Sequence, residues 1–389
     1  MKILKDFDVK NKRVLVRCDF NVPLDAKGEI QDDFRIRKTL PTIEFLIKNK
    51  AKVILLSHLE SKDKTAQTPN LDLVAKKIKE LGTDVKKLDD CIGKKVEKEI
   101  SKMEGGEAIL LENLRFHKGE KENSLEFCES LAKLGDIYIN DAFSVCHRKH
   151  ASIVGITEFL PSGAGLLLQK EVNILSKVLE NPWRPLVSII GGAKIESKTK
   201  LIRELLKQSD HVLIGGKIAN TVLIVKGIFV GGPWPEESVV KEIEELNLTS
   251  TKFHLPVDAL VSLDKEGQSY VRECAPAKTR TGELILDLGP ETIKIFSEII
   301  KNAKMIVWAG PLGYFENPLF EKGTKEIAEK IARNHKAYKI VGGGDTLYAL
   351  SKFNLLDKFD HISTGGGAML SFLSREKLPG LEALEKNNK

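Results

Sequence analysis

Twice along the chain, short runs of aliphatic and β-branched residues alternate with stretches that place apolar residues every three or four positions. In the first half the runs fall at 14–16, 53–56, 108–111 and 137–139, with helical patterns over 39–49, 71–81 and 124–134. The second half repeats the scheme with runs at 186–190, 211–214, 305–309, 339–341 and 361–362. A strand that is apolar throughout must be covered on both faces, and helices between successive strands supply that cover. The pattern therefore predicts an α/β protein built on doubly wound parallel sheets.

At 389 residues the chain exceeds what one hydrophobic core usually serves, so two domains are expected. Leu166, Leu167, Val172, Leu175, Val178 and Leu179 form a helical stripe stopped by Asn181-Pro182. It reads as a helix joining two α/β domains: 1–165, a connector at 166–182, and 183–372, followed by a tail at 373–389. Charge is mixed, 61 Lys plus Arg against 55 Asp plus Glu, and aromatics are only 6%. No concentrated basic face with stacking aromatics follows from that, so a nucleic-acid partner is not expected. No uncharged apolar stretch reaches about 18 residues, and the first residues lack the apolar core of a secretion signal. The five cysteines are odd in number and show no C-x-x-C spacing, which fits reduced thiols in a cytoplasm.

In open α/β sheets ligands bind beyond the carboxyl ends of the strands. In the first half those ends carry Arg17-Cys18-Asp19-Phe20-Asn21, Ser57-His58, Glu112-Asn113-Leu114-Arg115 and Asn140-Asp141-Ala142-Phe143. Arg35-Ile36-Arg37 and His147-Arg148-Lys149-His150 lie nearby in sequence. Arginines and histidines from several strand ends should converge on one crevice suited to a phosphate- or carboxylate-bearing anion. His147 and His150 lack a third ligand for a metal.

The second half holds 20 of the 30 glycines, many directly after a strand: Gly191-Gly192-Ala193-Lys194, Gly215-Gly216-Lys217, Gly310-Pro311-Leu312-Gly313, Gly342-Gly343-Gly344-Asp345-Thr346 and Gly365-Gly366-Gly367. Glycine lets a backbone approach a ligand closely, and free N–H groups at a helix start attract phosphate. With Lys194, Lys198 and an Asp-Thr pair suited to magnesium, these loops describe a polyphosphate cradle. Neither G-x-x-x-x-G-K-[ST] nor G-x-G-x-x-G occurs, so the cradle uses its own loop set. An anion site on one domain and a nucleotide-phosphate site on the other is the layout of a kinase for a small acidic metabolite. With no evident general base, the acceptor would be a group already ionised at neutral pH, such as a carboxylate.

At these loops the chain resembles phosphoglycerate kinase, from about residue 14 to residue 384. The resemblance is carried by Arg17-Cys18-Asp19-Phe20-Asn21-Val22-Pro23, Ser57-His58-Leu59, Leu111-Glu112-Asn113-Leu114-Arg115-Phe116, Asn140-Asp141-Ala142-Phe143 and Gly191-Gly192-Ala193-Lys194. Asp287-Leu288-Gly289-Pro290, Trp308-Ala309-Gly310-Pro311, Gly342 to Thr346 and Ser363-Thr364-Gly365-Gly366-Gly367-Ala368 extend it. It implies two Rossmann-like domains joined by a helix, with an interdomain cleft and hinge closure. The implied reaction is reversible transfer of the 1-phosphoryl group of 1,3-bisphosphoglycerate to MgADP, giving 3-phosphoglycerate and MgATP, by a cytoplasmic monomer.

By motif match Asp19, Asn21, Arg35, His58, Ser61, Arg115 and Arg148 would hold the phosphoglycerate. Lys198, Glu316, Gly343, Gly344, Asp345 and Thr346 would hold the nucleotide, with Asp345 directed at Mg2+. Arg35, Lys194 and the helix starts at Gly344 and Gly366 would stabilise the phosphoryl group in flight. The tail at 381–389 would pack on the N-terminal domain.

Four departures from the family pattern stand out. Glu60-Ser61-Lys62 occupies the place of Gly-Arg-Pro, so Ser61 replaces a phosphate-binding arginine. Ala309 replaces Asn, Ser144-Val145-Cys146 replaces Gly-Thr-Ala, and Ser371 replaces Glu. An active enzyme with weakened phosphoglycerate affinity is expected. Rival readings are a kinase for another acyl phosphate, a nucleotide- or RNA-binding protein without catalysis, and a dehydrogenase.

Overall fold

The computed structural model describes every residue except 26–27, 62–66, 194, 196–197, 233, 247 and 388–389. The chain divides into two compact units, Met1–Ile174 with Lys377–Lys389, and Leu175–Glu376.

The first unit runs β1 (Arg13–Arg17), α1 (Phe34–Lys48), β2 (Lys52–Leu56), α2 (Asp72–Glu80), β3 (Lys86–Lys87), α3 (Lys94–Ser101) and β4 (Ala108–Leu110). It continues through α4 (Lys118–Glu122), α5 (Leu125–Ala132), β5 (Ile137–Asn140), β6 (Ser162–Ala164) and the start of α6 (Leu166–Glu180). Its six strands form one parallel sheet ordered β3-β4-β2-β1-β5-β6, with Val14 opposite both Val53 and Ile137. From β1 the chain moves outward through β2, then returns to place β5 on the other side of β1. That reversal sets a topological switch point at the carboxyl ends of β1 and β5.

α1 begins five residues before the periodic stretch expected at 39–49, because its first turn holds Arg35 and Arg37 rather than an apolar repeat. Pro41 sits inside it and removes a helical donor, at a cost of about 3 kcal/mol. Burial of Ile36, Leu40, Ile43 and Leu46 in the core outweighs this, at about 1.5–3 kcal/mol each.

The second unit contains β7 (Leu186–Ile190), α7 (Thr199–Gln208), β8 (His211–Ile214), α8 (Gly216–Val225), α9 (Glu237–Glu244), β9 (Phe253–His254), β10 (Ala259–Ser262), β11 (Arg272–Cys274) and β12 (Leu284–Leu288). After these come α10 (Pro290–Asn302), β13 (Met305–Ala309), α11 (Lys322–Arg333), β14 (Tyr338–Gly342), α12 (Gly344–Lys352), β15 (His361–Ile362) and α13 (Gly366–Leu373). A second parallel sheet has the order β15-β14-β13-β7-β8-β9, with its switch point between β7 and β13. Trp308, Phe296, Ile306 and Ile327 lie in its core. An antiparallel sheet ordered β11-β10-β12 accompanies it. That sheet has no counterpart in the sequence reading, since its strands are short and β11 (Arg-Glu-Cys) offers no apolar run.

α14 (Pro379–Lys386) returns to the first unit. Gly380 N–H donates to the Cys146 carbonyl at 2.9 Å, and Asn387 Oδ1 accepts from Ser162 N–H at 3.1 Å. Among the described residues no helix is long and apolar enough to cross a membrane.

Candidate active site

In the first unit, side chains from four loops gather around His58. Its imidazole is 1% exposed, and burial, then the charges of Arg17, Arg115, Arg148 and Arg35, holds it well below the usual histidine range. The ring is therefore neutral at physiological pH. Arg17 Nη2 lies 3.2 Å from His58 Nδ1, and a guanidinium can only donate, so Nδ1 accepts and the ring proton resides on Nε2. Nε2 has no partner among the described residues. A buried donor without a partner is costly unless a ligand satisfies it.

Arg35, from the first turn of α1, donates through Nη1 to the Asn21 carbonyl at 2.7 Å and pairs with Asp19 Oδ2 at 3.0 Å. Asp19 also accepts from Asn21 N–H at 3.1 Å and from the Ser144 hydroxyl. The Asn21 side chain accepts from Glu60 N–H at 2.9 Å. Arg115 is 2% exposed in its side chain, with Nε 3.0 Å from Glu60 Oε1 and Nη1 3.3 Å from His150 Nδ1. Its Nη2 is buried without a partner among the described residues. Arg148 Nε donates to His147 Nε2 at 3.4 Å. Ser61 is half-buried, and Lys62, which follows it, lies outside the described residues.

Three readings of this crevice change. Arg17 does not enter it as an anion ligand: the side chain is 0% exposed, with Nε donating to Ser152 Oγ at 2.7 Å and Nη2 3.9 Å from Glu120. Arg37 points to the surface and pairs with Asp33. Asp141 accepts from Leu167 and Leu168 N–H at 2.9 and 3.2 Å, capping α6, and burial pushes it up to about 6. His147 and His150 both face arginines, and burial with that positive field lowers both, His150 to about 3.

Sequence reasoning missed Glu60, which pairs with Arg115, and the buried Glu120–Ser152 couple. Glu60 carried a signal as an acid standing where the family has glycine. Glu120 carried none, since in a run of Lys-Gly-Glu-Lys-Glu it reads as a solvated face.

The second unit builds its site from backbone. Gly191 follows β7 and Gly310 follows β13, and they cross so closely that a Cβ on either would collide with the other's loop. Gly310 takes φ +100° and Gly343 +98°, which only glycine adopts without strain. Lys198 is 9% exposed, with Nζ donating to the Gly191 carbonyl and lying 3.4 Å from that of Ala309. Burial lowers it to about 8, partly opposed by Asp345. Ala309, where the family has Asn, thus takes part through its carbonyl.

α12 starts at Gly344 and α13 at Gly366, neither with a side-chain cap. Gly344 and Gly367 face open space, and no left-handed φ requires glycine there. Glycine where the protein itself does not need it, at a helix start, leaves room for a ligand to reach backbone N–H groups. Thr346 is fully buried and its hydroxyl accepts from Gly310 N–H at 2.7 Å, so it can offer only its backbone outward. Asp345 is exposed in the first turn of α12 and Glu316 is exposed after β13. Lys194 lies outside the described residues.

A lone carboxylate beside a phosphate cradle fits magnesium, which keeps waters and phosphate oxygens as its other ligands. Among the described residues the one group of three side chains able to hold a metal is Asp90, Cys91 and His117. There Asp90 Oδ1 lies 2.8 Å from His117 Nε2, so that nitrogen carries a proton rather than a free lone pair.

The sequence profile of the family described as Phosphoglycerate kinase matches residues 4–376. The chain is 47% identical to the phosphoglycerate kinase of Dictyoglomus turgidum, with 98% of each chain covered. It is 43% identical to that of Borrelia hermsii, covering 99% of this chain and 100% of the relative. Among solved structures it is similar to phosphoglycerate kinase from Coxiella burnetii, with a TM-score of 0.86, 37% identity and 99% of each chain covered. The Pyrococcus horikoshii enzyme is similar too, with a TM-score of 0.85 and 32% identity over 100% of this chain and 99% of that one.

Proposed function

The chain belongs to the phosphoglycerate kinase family, and on that premise we propose how its residues divide the reaction. It is a phosphotransferase with a carboxyl acceptor, interconverting 1,3-bisphosphoglycerate and MgADP with 3-phosphoglycerate and MgATP. In the proposed division Arg35, Asp19, Asn21, His58, Arg115 and Arg148 hold the phosphoglycerate, with Ser61 at the edge. His58 donates from neutral Nε2, and Arg115 Nη2 and Arg148 supply charge. The observation that carries this reading is the pair of buried donors, His58 Nε2 and Arg115 Nη2, without a partner among the described residues and surrounded by positive charge.

On the other unit, the N–H groups at Gly343, Gly344, Asp345 and Thr346 and those at Gly366 receive nucleotide phosphates, with Lys198 beside them and Glu316 toward the rest of the nucleotide. Asp345 would hold Mg2+, which supplies charge neutralisation of the phosphate oxygens when bound. Arg35 and Lys194, with the helix starts at Gly344 and Gly366, stabilise the three equatorial oxygens in transit. A carboxylate acceptor needs no general base, and neutral His58, its Nδ1 engaged by Arg17, is not placed to be one. Transfer in line requires donor and acceptor oxygens to meet with water excluded, so closure of the two units on their ligands is part of the proposed cycle. We place the reaction in the cytoplasm, carried out by a monomer on free metabolites without nucleic acid or membrane.

The test is turnover of 3-phosphoglycerate and MgATP coupled to NADH oxidation by glyceraldehyde-phosphate dehydrogenase, with Arg35→Ala alongside. The expected result is robust activity that drops by about 10³-fold or more in kcat for the variant, as for other arginines that meet a transferring phosphoryl group. Equal kcat in both proteins would remove Arg35 from the transition state. Activity on other small acids but not on 3-phosphoglycerate would overturn the substrate assignment.

A further inference from the structure

Glu120 lies beneath the anion cluster and is 0% exposed, an unusual place for a carboxylate on the five-residue helix α4. Its Oε2 accepts from Ser152 N–H at 2.9 Å and its Oε1 from the Ser152 hydroxyl at 2.7 Å. That same hydroxyl oxygen accepts from Arg17 Nε at 2.7 Å. The direction of the relay is fixed by chemistry: Arg17 Nε can only donate to the serine oxygen, so the Ser152 hydroxyl proton points at Glu120 Oε1. Tyr138 locks the serine from the other side, its hydroxyl donating to the Ser152 carbonyl at 2.6 Å. Arg17 Nη2, 3.9 Å from Glu120 Oε1, continues to His58 Nδ1 at 3.2 Å. His150 Nδ1 is 3.9 Å from Glu120 Oε1 and receives Arg115 Nη1 at 3.3 Å.

We propose that Glu120 is a positioning residue of the phosphoglycerate site, acting through Ser152 and Arg17 to fix the proton of His58 on Nε2, the nitrogen that faces the substrate. A buried guanidinium is retained only with its counter-charge. Without Glu120, Arg17 turns toward other acceptors, Nδ1 loses its donor and the imidazole is free to exchange tautomers. The substrate then meets a lone pair where it needs an N–H. The inference rests on the reading of His58 as a substrate ligand.

The experiment uses the full-length protein labelled with ¹⁵N-histidine, and long-range nitrogen–proton spectra report the His58 tautomer with and without 3-phosphoglycerate. Steady-state constants are measured for Glu120→Gln, Ser152→Ala and Ser152→Thr. In the wild type His58 carries Nε2–H, and its resonances move on adding 3-phosphoglycerate. Glu120→Gln raises KM for 3-phosphoglycerate by about tenfold or more, the size expected for losing a hydrogen bond to a charged ligand. Its kcat stays within about threefold, KM for MgATP is unchanged and the His58 spectrum becomes a tautomer mixture. Ser152→Ala does the same to a smaller degree, and Ser152→Thr, which keeps the hydroxyl, restores wild-type values.

Wild-type KM and an undisturbed tautomer in Glu120→Gln would overturn the proposal, as would a parallel loss in both KM values and kcat. Should Glu120→Gln fail to fold, the Ser152→Ala and Ser152→Thr pair decides by the same criteria. A wild-type His58 that ignores 3-phosphoglycerate would instead sink the substrate reading on which the proposal stands.

Discussion

Both units are built on six-stranded parallel sheets, ordered differently as β3-β4-β2-β1-β5-β6 and β15-β14-β13-β7-β8-β9, and on the proposed reading they solve the same problem, holding an anion at a sheet's switch point, with opposite materials. The first uses side chains: four guanidinium groups surround a neutral histidine, and Asp19 supports Arg35, Glu60 supports Arg115, and Ser152 with Glu120 supports the buried Arg17. The second uses backbone, with bare helix starts at Gly344 and Gly366 and one buried lysine. Side chains bring selectivity for a particular anion, because their geometry can be matched to a carboxylate and a distant phosphate. Backbone N–H groups suit a polyphosphate, whose repeating oxygens need proximity more than discrimination. The lesson is that the side-chain site depends on residues beneath it, while the backbone site depends on residues that are absent.

Glycine substitutions are the sharpest way to break this contrast. Gly310→Ala places a Cβ against the Gly191 carbonyl and Lys198 Nζ in a left-handed backbone. Loss of more than about 3 kcal/mol is expected, seen as collapse of the thermal transition together with nucleotide binding. At Gly344 an added Cβ meets nothing within 4 Å beyond its chain neighbours and its own helix backbone, so Gly344→Val starts in open space. Its melting temperature should stay within about 2 °C of wild type while MgADP affinity, read by calorimetry, falls about 10- to 100-fold. If both variants lost stability equally, the bare helix start would be a folding requirement rather than a ligand site.

How far each site could be read from the sequence follows the same division. Both sheets were legible because runs such as Val-Ile-Leu-Leu at β2 and Ile-Val-Trp-Ala at β13 are apolar on both faces. The antiparallel strands β10 to β12 were not, because a short sheet outside the main layers needs no continuous apolar run. At the backbone site, glycines after strands marked Gly343, Gly344 and Gly366 directly. The hydroxyl of Thr346 misled, because whether it turns outward or accepts from Gly310 depends on a loop 36 residues earlier.

In the first unit the gathering of arginines around His58 was legible and the depth of each side chain was not. Arg17 and Arg35 look alike in sequence, yet a last strand residue can point down into the layer while a first-turn helix residue points out. The burial of Glu120 depends on contacts with Ser152, 32 positions away, which no local pattern encodes.

A smaller effect is expected at Glu60. Its carboxylate lies 3.0 Å from Arg115 Nε and 3.8 Å from Lys121, competing with any anion for the same guanidinium. Glu60→Gly should lower KM for 3-phosphoglycerate by about two- to fivefold, the range of a partly exposed ion pair, with kcat little changed. An increase would make Glu60 a support like Asp19 rather than a competitor.

The smallest effects come from pH, and here the two units should differ in sign. Burial and neighbouring arginines hold His150 down at about 3, whereas an unfolded histidine titrates near about 6.5. Between those values the unfolded chain binds the extra proton, so this group's contribution to stability is lost as pH falls from about 6.5 toward 3. Asp287 is the reverse. Burial pushes it up to about 7, from about 3.9 unfolded, with one oxygen accepting from Gly323 N–H at 2.7 Å and the other without a partner among the described residues. The folded chain now binds the extra proton, so stability is lost as pH rises from about 4 to about 7 and levels off above.

Melting temperatures of wild type, His150→Asn and Asp287→Asn between pH 4 and 8 separate the two. The wild-type-minus-variant difference should climb with pH for His150 up to about 6.5, and decline with pH for Asp287 up to about 7, each by a few degrees. Slopes of the same sign would mean that one of the two groups is not buried in the ionisation state its surroundings favour. The histidine slope bears most on function, because two of the arginines that depress His150, Arg115 and Arg148, are among those proposed to hold the substrate.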